Sequence, residues 1–244
     1  MKKPTVWAPK GLGVSVFWFY PMKEVEAEKR TSDLRKVHTM KSMNYYVRTL
    51  VLAILGGCAI GMGGIVFLSL ENKVIGALMF TVGLYTIVAH GLNLYTGKVG
   101  YIPNNPPAYV IDVAIIWLGN LIGTWLAAQA ALATRISGLS EAVTGMCEVK
   151  LNDSMMSLFI LGIFCGSLMY IAVEGYKVTK NPAILFVCVA AFILSGFEHC
   201  IADMFYFSLG GVWSVDTLIR TLVITVANAI GGCAIPLAKK LKED

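Results

Sequence analysis

Six long apolar stretches, separated by short polar or charged segments, follow one another along the chain. They cover about 46–70, 74–94, 108–132, 155–175, 183–206 and 217–237. A helix needs about 20 apolar residues to cross a bilayer, and each stretch reaches that length. None of them alternates polar and apolar residues in the way that a membrane β-barrel requires. The pattern therefore predicts an all-α integral membrane protein with six transmembrane helices.

The composition supports a membrane protein. Hydrophobic residues make up 57% of the 244 positions and charged residues 14%, and the mean hydropathy is +0.69. A soluble globular domain is far less apolar. Five of the six cysteines fall within the apolar stretches without the spacing of metal ligands or extracellular disulfides, so they are interpreted as small packing residues. No metal or other cofactor is expected.

The first 45 residues form a basic segment with nine Lys and Arg and no stretch long enough to cross a membrane. Its apolar run at 12–20 is short and far from any small-residue cleavage site, so no signal peptide is predicted. The charged segment 24–36 is predicted to be a cytoplasmic helix. The chain thus divides into an N-terminal arm at 1–45, a transmembrane domain at 46–238 and a tail at 239–244.

The distribution of Lys and Arg predicts the orientation. With six crossings both termini share one side, and that side collects sixteen basic residues. The other side has four, which are Lys73, Arg135, Lys150 and Arg220. Because basic residues concentrate on the cytoplasmic side, both termini are predicted to be cytoplasmic, in a protein of the cell membrane. The net charge of +5 reflects this bias, and no feature indicates a nucleic-acid partner.

Three patterns of small residues in the first half recur in register in the second. The pairs are Leu55-Gly56 with Leu161-Gly162, Gly91 with Gly196, and Gly119-Asn120-x-x-Gly123 with Ala227-Asn228-x-x-Gly231. Three crossings repeated once place the second copy upside down in the membrane. The sequence therefore predicts two inverted three-helix repeats, at about 46–132 and 155–238.

Polar residues interrupt the second and fifth apolar stretches, as HGLNLYTGK at 90–98 and SGFEHCIADMFYF at 195–207. Ionisable groups at membrane depth normally line a path for water or substrate, although a cluster that only ties helices together remains an alternative. In inverted repeats, broken helices meet near the midplane. Helices two and five are therefore predicted to be broken, with Asn120 and Asn228 bonding their freed backbone as structural support.

These interruptions resemble a known family. Gly91–Lys98 and the GFEH at 196–199 resemble the broken-helix loops of the formate/nitrite transporter family, and Gly119-Asn120 with Asn228 resembles its paired signatures. The resemblance runs from about Lys41 to the end. It implies an aquaporin-like fold, a homopentamer with one pathway per subunit, and passage of small monovalent anions such as formate, nitrite, lactate, acetate or hydrosulfide. It implies a channel or transporter, not an enzyme.

The resemblance also implies the residues of the pathway. They are the central His199, Thr96 of the first loop, the basic residues Lys150 and Lys41 near opposite mouths, and Asn93 and Glu198. Glu198 is expected to accept hydrogen bonds between helices. The implied apolar constrictions are Phe80, Leu84, Leu94, Tyr95 and Phe192.

Three residues depart from the family pattern. Asn93 stands where an acid is usual, Lys98 stands where a small or amide residue is usual, and Gly166 replaces a polar residue that would face the path. The link from Thr96 to Asn120 is also a few residues shorter than expected. The substrate and the cytoplasmic gate therefore do not follow from the resemblance.

The role expected of His199 follows from the cost of moving an anion past apolar side chains. An anion that loses its hydration between apolar side chains pays several kcal/mol or more, and protonation removes that cost. Histidine can titrate near neutral pH, and His199 is the only histidine deep in the inferred path, so it is expected to assist protonation. Lys150 and Lys41 are expected to attract the anion. Alternatively, both lysines extend to the lipid headgroups, and Thr96 only caps a helix.

An aquaporin-type pore and a membrane metalloenzyme are the alternatives to an anion channel. Asn181-Pro182-Ala183 suggests an aquaporin-type water or glycerol pore, but that motif must occur twice, and Asn105-Pro106-Pro107-Ala108 lies at the wrong offset. A membrane metalloenzyme using His199, Cys200 and Asp203 is more remote, because the three histidines are scattered and lack ligand spacing.

Overall fold

All regular elements are helices in the part of the chain that the computed structural model describes, Met43–Leu241. The predicted N-terminal arm up to residue 42, with Lys41, and the last three residues of the tail lie outside the described residues. The elements in chain order are α1 Met43–Leu68, α2 Lys73–His90, α3 Tyr95–Lys98, a 3₁₀ helix Val99–Asn104, α4 Tyr109–Leu132, α5 Leu139–Asn152, α6 Met155–Thr179, α7 Ala183–Leu194, α8 Cys200–Leu209 and α9 Val215–Lys240.

Five helices are long and apolar enough to cross a membrane, counted within residues 43–241. They are α1, α2, α4, α6 and α9. The fifth predicted stretch, 183–206, is instead divided between α7 and α8, which have 12 and 10 residues. Neither reaches the roughly 20 residues of a full crossing. The helix α5 lies between two spans, at a segment where the hydrophobic pattern predicted none.

The helices α2 and α7 end in the same way. Gly91 and Gly196 both take a left-handed backbone, with φ of 65° and 68°, which glycine adopts without steric cost. The next amide, of Leu92 or Phe197, donates to the carbonyl five residues back at 2.9 Å. This bond satisfies a carbonyl that the helix end leaves free. It explains why α2 stops at His90, four residues before the apolar stretch ends.

Glycines bring α1 against α4 and α6 against α9. A Cβ at Gly57 would overlap the backbone of Asn120, and a Cβ at Gly166 would overlap the backbone of Asn228. Small residues at such contacts let membrane helices approach closely. The expectation that position 166 faces the path is therefore wrong, because Gly166 lies against the α9 backbone and sets the position of Asn228.

Candidate functional site

His199 and Thr96 form a buried pair where α3 and α8 begin. The His199 Nε2 lies 2.9 Å from the Thr96 Oγ1, and the two residues are 2% and 1% exposed. The His199 Nδ1 accepts a 3.0 Å hydrogen bond from the backbone N–H of Ala202, which caps α8. A ring nitrogen that accepts carries no proton, so the neutral ring carries its proton on Nε2 and donates it to Thr96.

Asn120, on α4, binds the backbone on both sides of the first interruption. Its side-chain N–H₂ donates to the carbonyls of Asn93 at 2.9 Å and Ala53 at 2.7 Å. Its Oδ1 accepts from the N–H of Tyr95 at 2.8 Å. One buried amide thus joins α1 and α4 to the residues that flank Leu94, and satisfies backbone groups that no helix pairs.

Asn228, on α9, makes the same contacts at the second interruption. It donates to the carbonyls of Glu198 at 2.8 Å and Gly162 at 2.7 Å. Its Oδ1 accepts from the N–H of Cys200 at 3.0 Å. Asn120 and Asn228 thus fix the backbone before Thr96 and around His199 by matching bonds.

The residues implied to form the apolar constrictions are buried, and one of them contacts the Thr96–His199 pair directly. The rings of Phe80 and Phe192 meet edge to face, with centroids 6.1 Å apart, and Phe192 also stacks on the His199 ring with centroids 5.5 Å apart. Leu84 and Leu94 are each 1% exposed. The hydroxyl of Tyr95 donates to the carbonyl of Thr225 at 3.0 Å, which ties this residue to α9.

Two cavities approach the Thr96–His199 pair. The Lys150 cavity, with a volume of about 220 Å³, is lined by Lys150, Glu198, His199, Asp203 and Phe192 among others. The Lys98 cavity, with a volume of about 90 Å³, is lined by Leu84, Leu94, Lys98 and Lys177 among others. Leu94 and Gly97 of the Lys98 cavity lie on either side of Thr96 in the chain, and Thr96 is bonded to His199 of the Lys150 cavity.

Lys150, near the end of α5, is paired with two acids. Its ammonium contacts the carboxylate of Glu198 and lies 2.9 Å from the Asp203 Oδ1. The second oxygen of Asp203 is buried without a hydrogen-bond partner in the described part of the chain. Burial alone would favour the neutral amine, but the two carboxylates outweigh it and raise the pKa of Lys150. The sequence suggested that Lys150 either attracts the anion or extends to the lipid headgroups, and neither interpretation included Glu198 or Asp203 as partners.

Arg220 positions the end of α5 that bears Lys150. Its guanidinium donates to the carbonyls of Lys150 at 3.1 Å and Asp153 at 2.8 Å, and it pairs with Asp216 at 2.7 Å. A cation at a helix C-terminus stabilises the free carbonyls there. From the sequence Arg220 contributed only to the charge bias, because a contact with a residue 70 positions away leaves no local signal.

Asn93 is half-buried and bound to α1. Its side-chain N–H₂ donates to the carbonyl of Thr49 at 3.3 Å, and its backbone N–H donates to the carbonyl of Leu52 at 3.2 Å. This amide helps to hold the first interruption against α1.

Lys41 lies outside the described residues. Within 43–241, no three His, Cys, Asp or Glu side chains come together in a way that could hold a metal ion.

Comparison with known proteins identifies related sequences. The model of the formate/nitrite transporter family matches residues 29–238. The formate channel FocA of Haemophilus influenzae is 28% identical over 158 residues, which are 57% of this chain and 54% of that protein. FocA of Escherichia coli strain K12 is 26% identical over 70% of this chain and 68% of that protein. The nitrite transporter NirC of the same strain is 29% identical over 75% and 78%. The match thus spans about half the length of the Haemophilus protein.

Two solved structures share the fold. A pentameric formate channel with formate bound superposes with a TM-score of 0.71 at 23% identity, over 83% of this chain and 99% of that one. An FNT family ion channel superposes with a TM-score of 0.72 at 21% identity, over 79% and 88%. At these identities, the superpositions establish the fold of the membrane domain.

Proposed function

Because the chain belongs to the formate/nitrite transporter family, we propose that it is a membrane channel or transporter for small monovalent anions of weak acids. Formate, nitrite and hydrosulfide represent the class. The observation that supports this function best is the Thr96–His199 pair, buried between two cavities and flanked by apolar side chains. The family consists of channels and transporters rather than enzymes.

The proposed path runs from one cavity to the other past two apolar constrictions. Phe80 and Phe192 form one constriction, and Leu84, Leu94 and Tyr95 form the other. An anion that enters either constriction loses water, at a cost of several kcal/mol. Between the constrictions the Thr96 hydroxyl oxygen accepts a hydrogen bond from the His199 Nε2. The hydroxyl proton of Thr96 is therefore free to bond the substrate. Asn93 and Glu198 are proposed to border the path.

His199 is proposed to assist protonation of the anion. With Nδ1 bound to the Ala202 N–H, the ring is neutral and acts through its Nε2 proton as a hydrogen-bond donor. It becomes a proton donor only when Nδ1 takes up a proton and the bond from Ala202 breaks. The imidazolium then gives its Nε2 proton to the anion, and the neutral acid passes the constriction without the cost of a buried charge.

The proposed architecture has six crossings in two inverted repeats. In it, α2 with α3 and α7 with α8 form the two broken crossings. The left-handed glycines at the ends of α2 and α7, and the matching bonds from Asn120 and Asn228 to the first residues of α3 and α8, support this proposal. The N-terminus of α8 would direct its partial positive charge toward the centre of the path.

The chain is proposed to form a homopentamer in the cell membrane, with one path in each subunit. The fold it shares with a solved pentameric formate channel supports this assembly. Both termini are proposed to be cytoplasmic, because of the bias of sixteen basic residues to four.

Cysteine labelling would test that orientation. A membrane-impermeant reagent added outside should label Cys introduced at Lys73 or Arg135 and should leave Cys at Lys98 or Lys180 unlabelled, because the second pair shares the side of the termini. The native cysteines would first be changed to Ser or Ala. Labelling of Lys98→Cys from outside in intact cells would contradict the topology.

Uptake into proteoliposomes tests the function. We expect purified protein to accelerate entry of formate, nitrite or hydrosulfide, with acetate and lactate completing the panel, because each is a weak acid that can pass as a neutral species. Light scattering would measure water and glycerol entry in the same vesicles. Rapid water or glycerol flux without weak-acid flux would support the aquaporin-type alternative and reject the proposal.

A further inference from the structure

The Lys98 cavity combines an apolar wall with two positive side chains. Its volume is about 90 Å³, and a single water molecule needs roughly 10–15 Å³ on the same measure. Lys98 and Lys177 are the charged residues that line it within the described ranges, and the other lining residues are apolar or glycine. The cavity therefore has room for a small anion with part of its hydration shell.

Lys98 has no counter-charge among residues 43–241. Its side chain is half-buried, and it makes no ion pair or hydrogen bond with any residue between 43 and 241. Its backbone carbonyl accepts a 3.1 Å bond from the Tyr109 hydroxyl, which leaves the ammonium free of that contact. An unpaired ammonium beside apolar surface is costly, so a lysine in such a place normally meets its counter-charge on a ligand or reaches water.

Lys177 is held in place at the same cavity. Its ammonium donates to the Tyr101 hydroxyl at 2.6 Å and lies 3.9 Å from the centre of that ring. The Tyr101 hydroxyl in turn donates to the Glu174 carboxylate at 2.6 Å. Glu174 is thus joined to Lys177 through a hydroxyl. This arrangement orients the ammonium without a direct ion pair that would neutralise it.

The two cavities differ in their charge balance. At the Lys150 cavity one ammonium faces the carboxylates of Glu198 and Asp203. Within residues 43–241, two ammonium groups and no carboxylate line the Lys98 cavity, and the Tyr101 hydroxyl separates the neighbouring Glu174 carboxylate from Lys177. An anion is therefore attracted more strongly at the Lys98 end.

We propose that the Lys98 cavity is a binding site for one small monovalent carboxylate or oxoanion, held by the Lys98 ammonium and assisted by Lys177. The anion binds in its charged form, before it reaches Leu94 and the Thr96–His199 pair. Onward passage of the bound anion rests on the proposed transport function, whereas binding itself does not.

Equilibrium binding to the full chain in detergent tests this site. The probe is isotope-labelled formate, followed by NMR line broadening, with nitrate as a competitor that stays charged. Lys98→Gln keeps a polar side chain, one atom shorter, and removes its charge. We expect it to raise the Kd for formate about tenfold, as the loss of a close charge pair implies. Lys98→Arg should stay within about threefold of the wild-type Kd, and nitrate should displace formate from the wild type.

Lys180→Gln is the matched control. Lys180 lies just beyond α6 and is not part of the cavity wall, so its removal should leave the Kd unchanged. The proposal is overturned if Lys98→Gln binds formate like the wild type, or if Lys180→Gln weakens binding equally, which would indicate a general surface charge. Binding that depends on Lys98 in a protein without weak-acid flux would uphold the site and reject the transport function. Weak-acid flux together with formate binding that does not depend on Lys98 would uphold the transport function and reject the site.

Discussion

His199→Asn is expected to reduce weak-acid flux by about tenfold or more and to remove its pH dependence near neutrality. The side-chain oxygen of Asn can still accept the Ala202 N–H bond that caps α8. What disappears is the titrating ring and the Nε2–H donor to Thr96. A hydrogen bond to a charged group contributes roughly 1.5–3 kcal/mol, or about 10- to 100-fold in rate. Formate uptake into proteoliposomes over a range of pH measures the effect.

Thr96→Val is the companion variant, because it keeps the branched shape and removes the hydroxyl that contacts the His199 Nε2. It should reduce flux while retaining a pH response from the histidine. Both variants should elute as the same oligomer as the wild type in size-exclusion chromatography with light scattering. If an assembled His199→Asn protein transports its weak acid at an unaltered rate and pH profile, His199 has a structural role only.

The helices that the sequence predicts well are those whose limits follow from apolar length. The structure has α4 at Tyr109–Leu132 and begins α6 at Met155, each within one residue of the predicted bound. The end of α2 does not follow from apolar length, because it depends on the left-handed backbone of Gly91. The helix α5 was missed because it is short and lies outside the apolar stretches.

Side-chain partners that are distant in sequence were the least predictable part of the site. Lys150 and Glu198 are 48 residues apart, and their contact depends on how α5 packs beside α8. The hydrophobic pattern identified Glu198, His199 and Asp203 as unusual at membrane depth, but it carries no information on which cation they meet. Gly166 shows the same limit, since its contact with Asn228 exists only after α6 and α9 have packed.

Lys150→Met is expected to destabilise the protein strongly at neutral pH, by roughly 3–5 kcal/mol, because it leaves two buried carboxylates without their cation. The Glu198 and Asp203 side chains are 6% and 1% exposed, so water compensates their charge poorly once the ammonium is gone. Lowering the pH should reduce the loss, since protonation removes the uncompensated charges. The apparent Tm in detergent, followed by tryptophan fluorescence at several pH values, measures the effect.

Two matched variants separate charge from packing at this cluster. Asp203→Asn leaves one carboxylate for one ammonium, so we expect its Tm to stay close to the wild-type value. Adding Glu198→Gln and Asp203→Asn to Lys150→Met removes every formal charge and should recover much of the lost stability, because a neutral cluster avoids the cost of unpaired buried ions. If Lys150→Met is as stable as the wild type at neutral pH, the ammonium does not compensate these carboxylates, and attraction of anions at the mouth becomes the better account of Lys150.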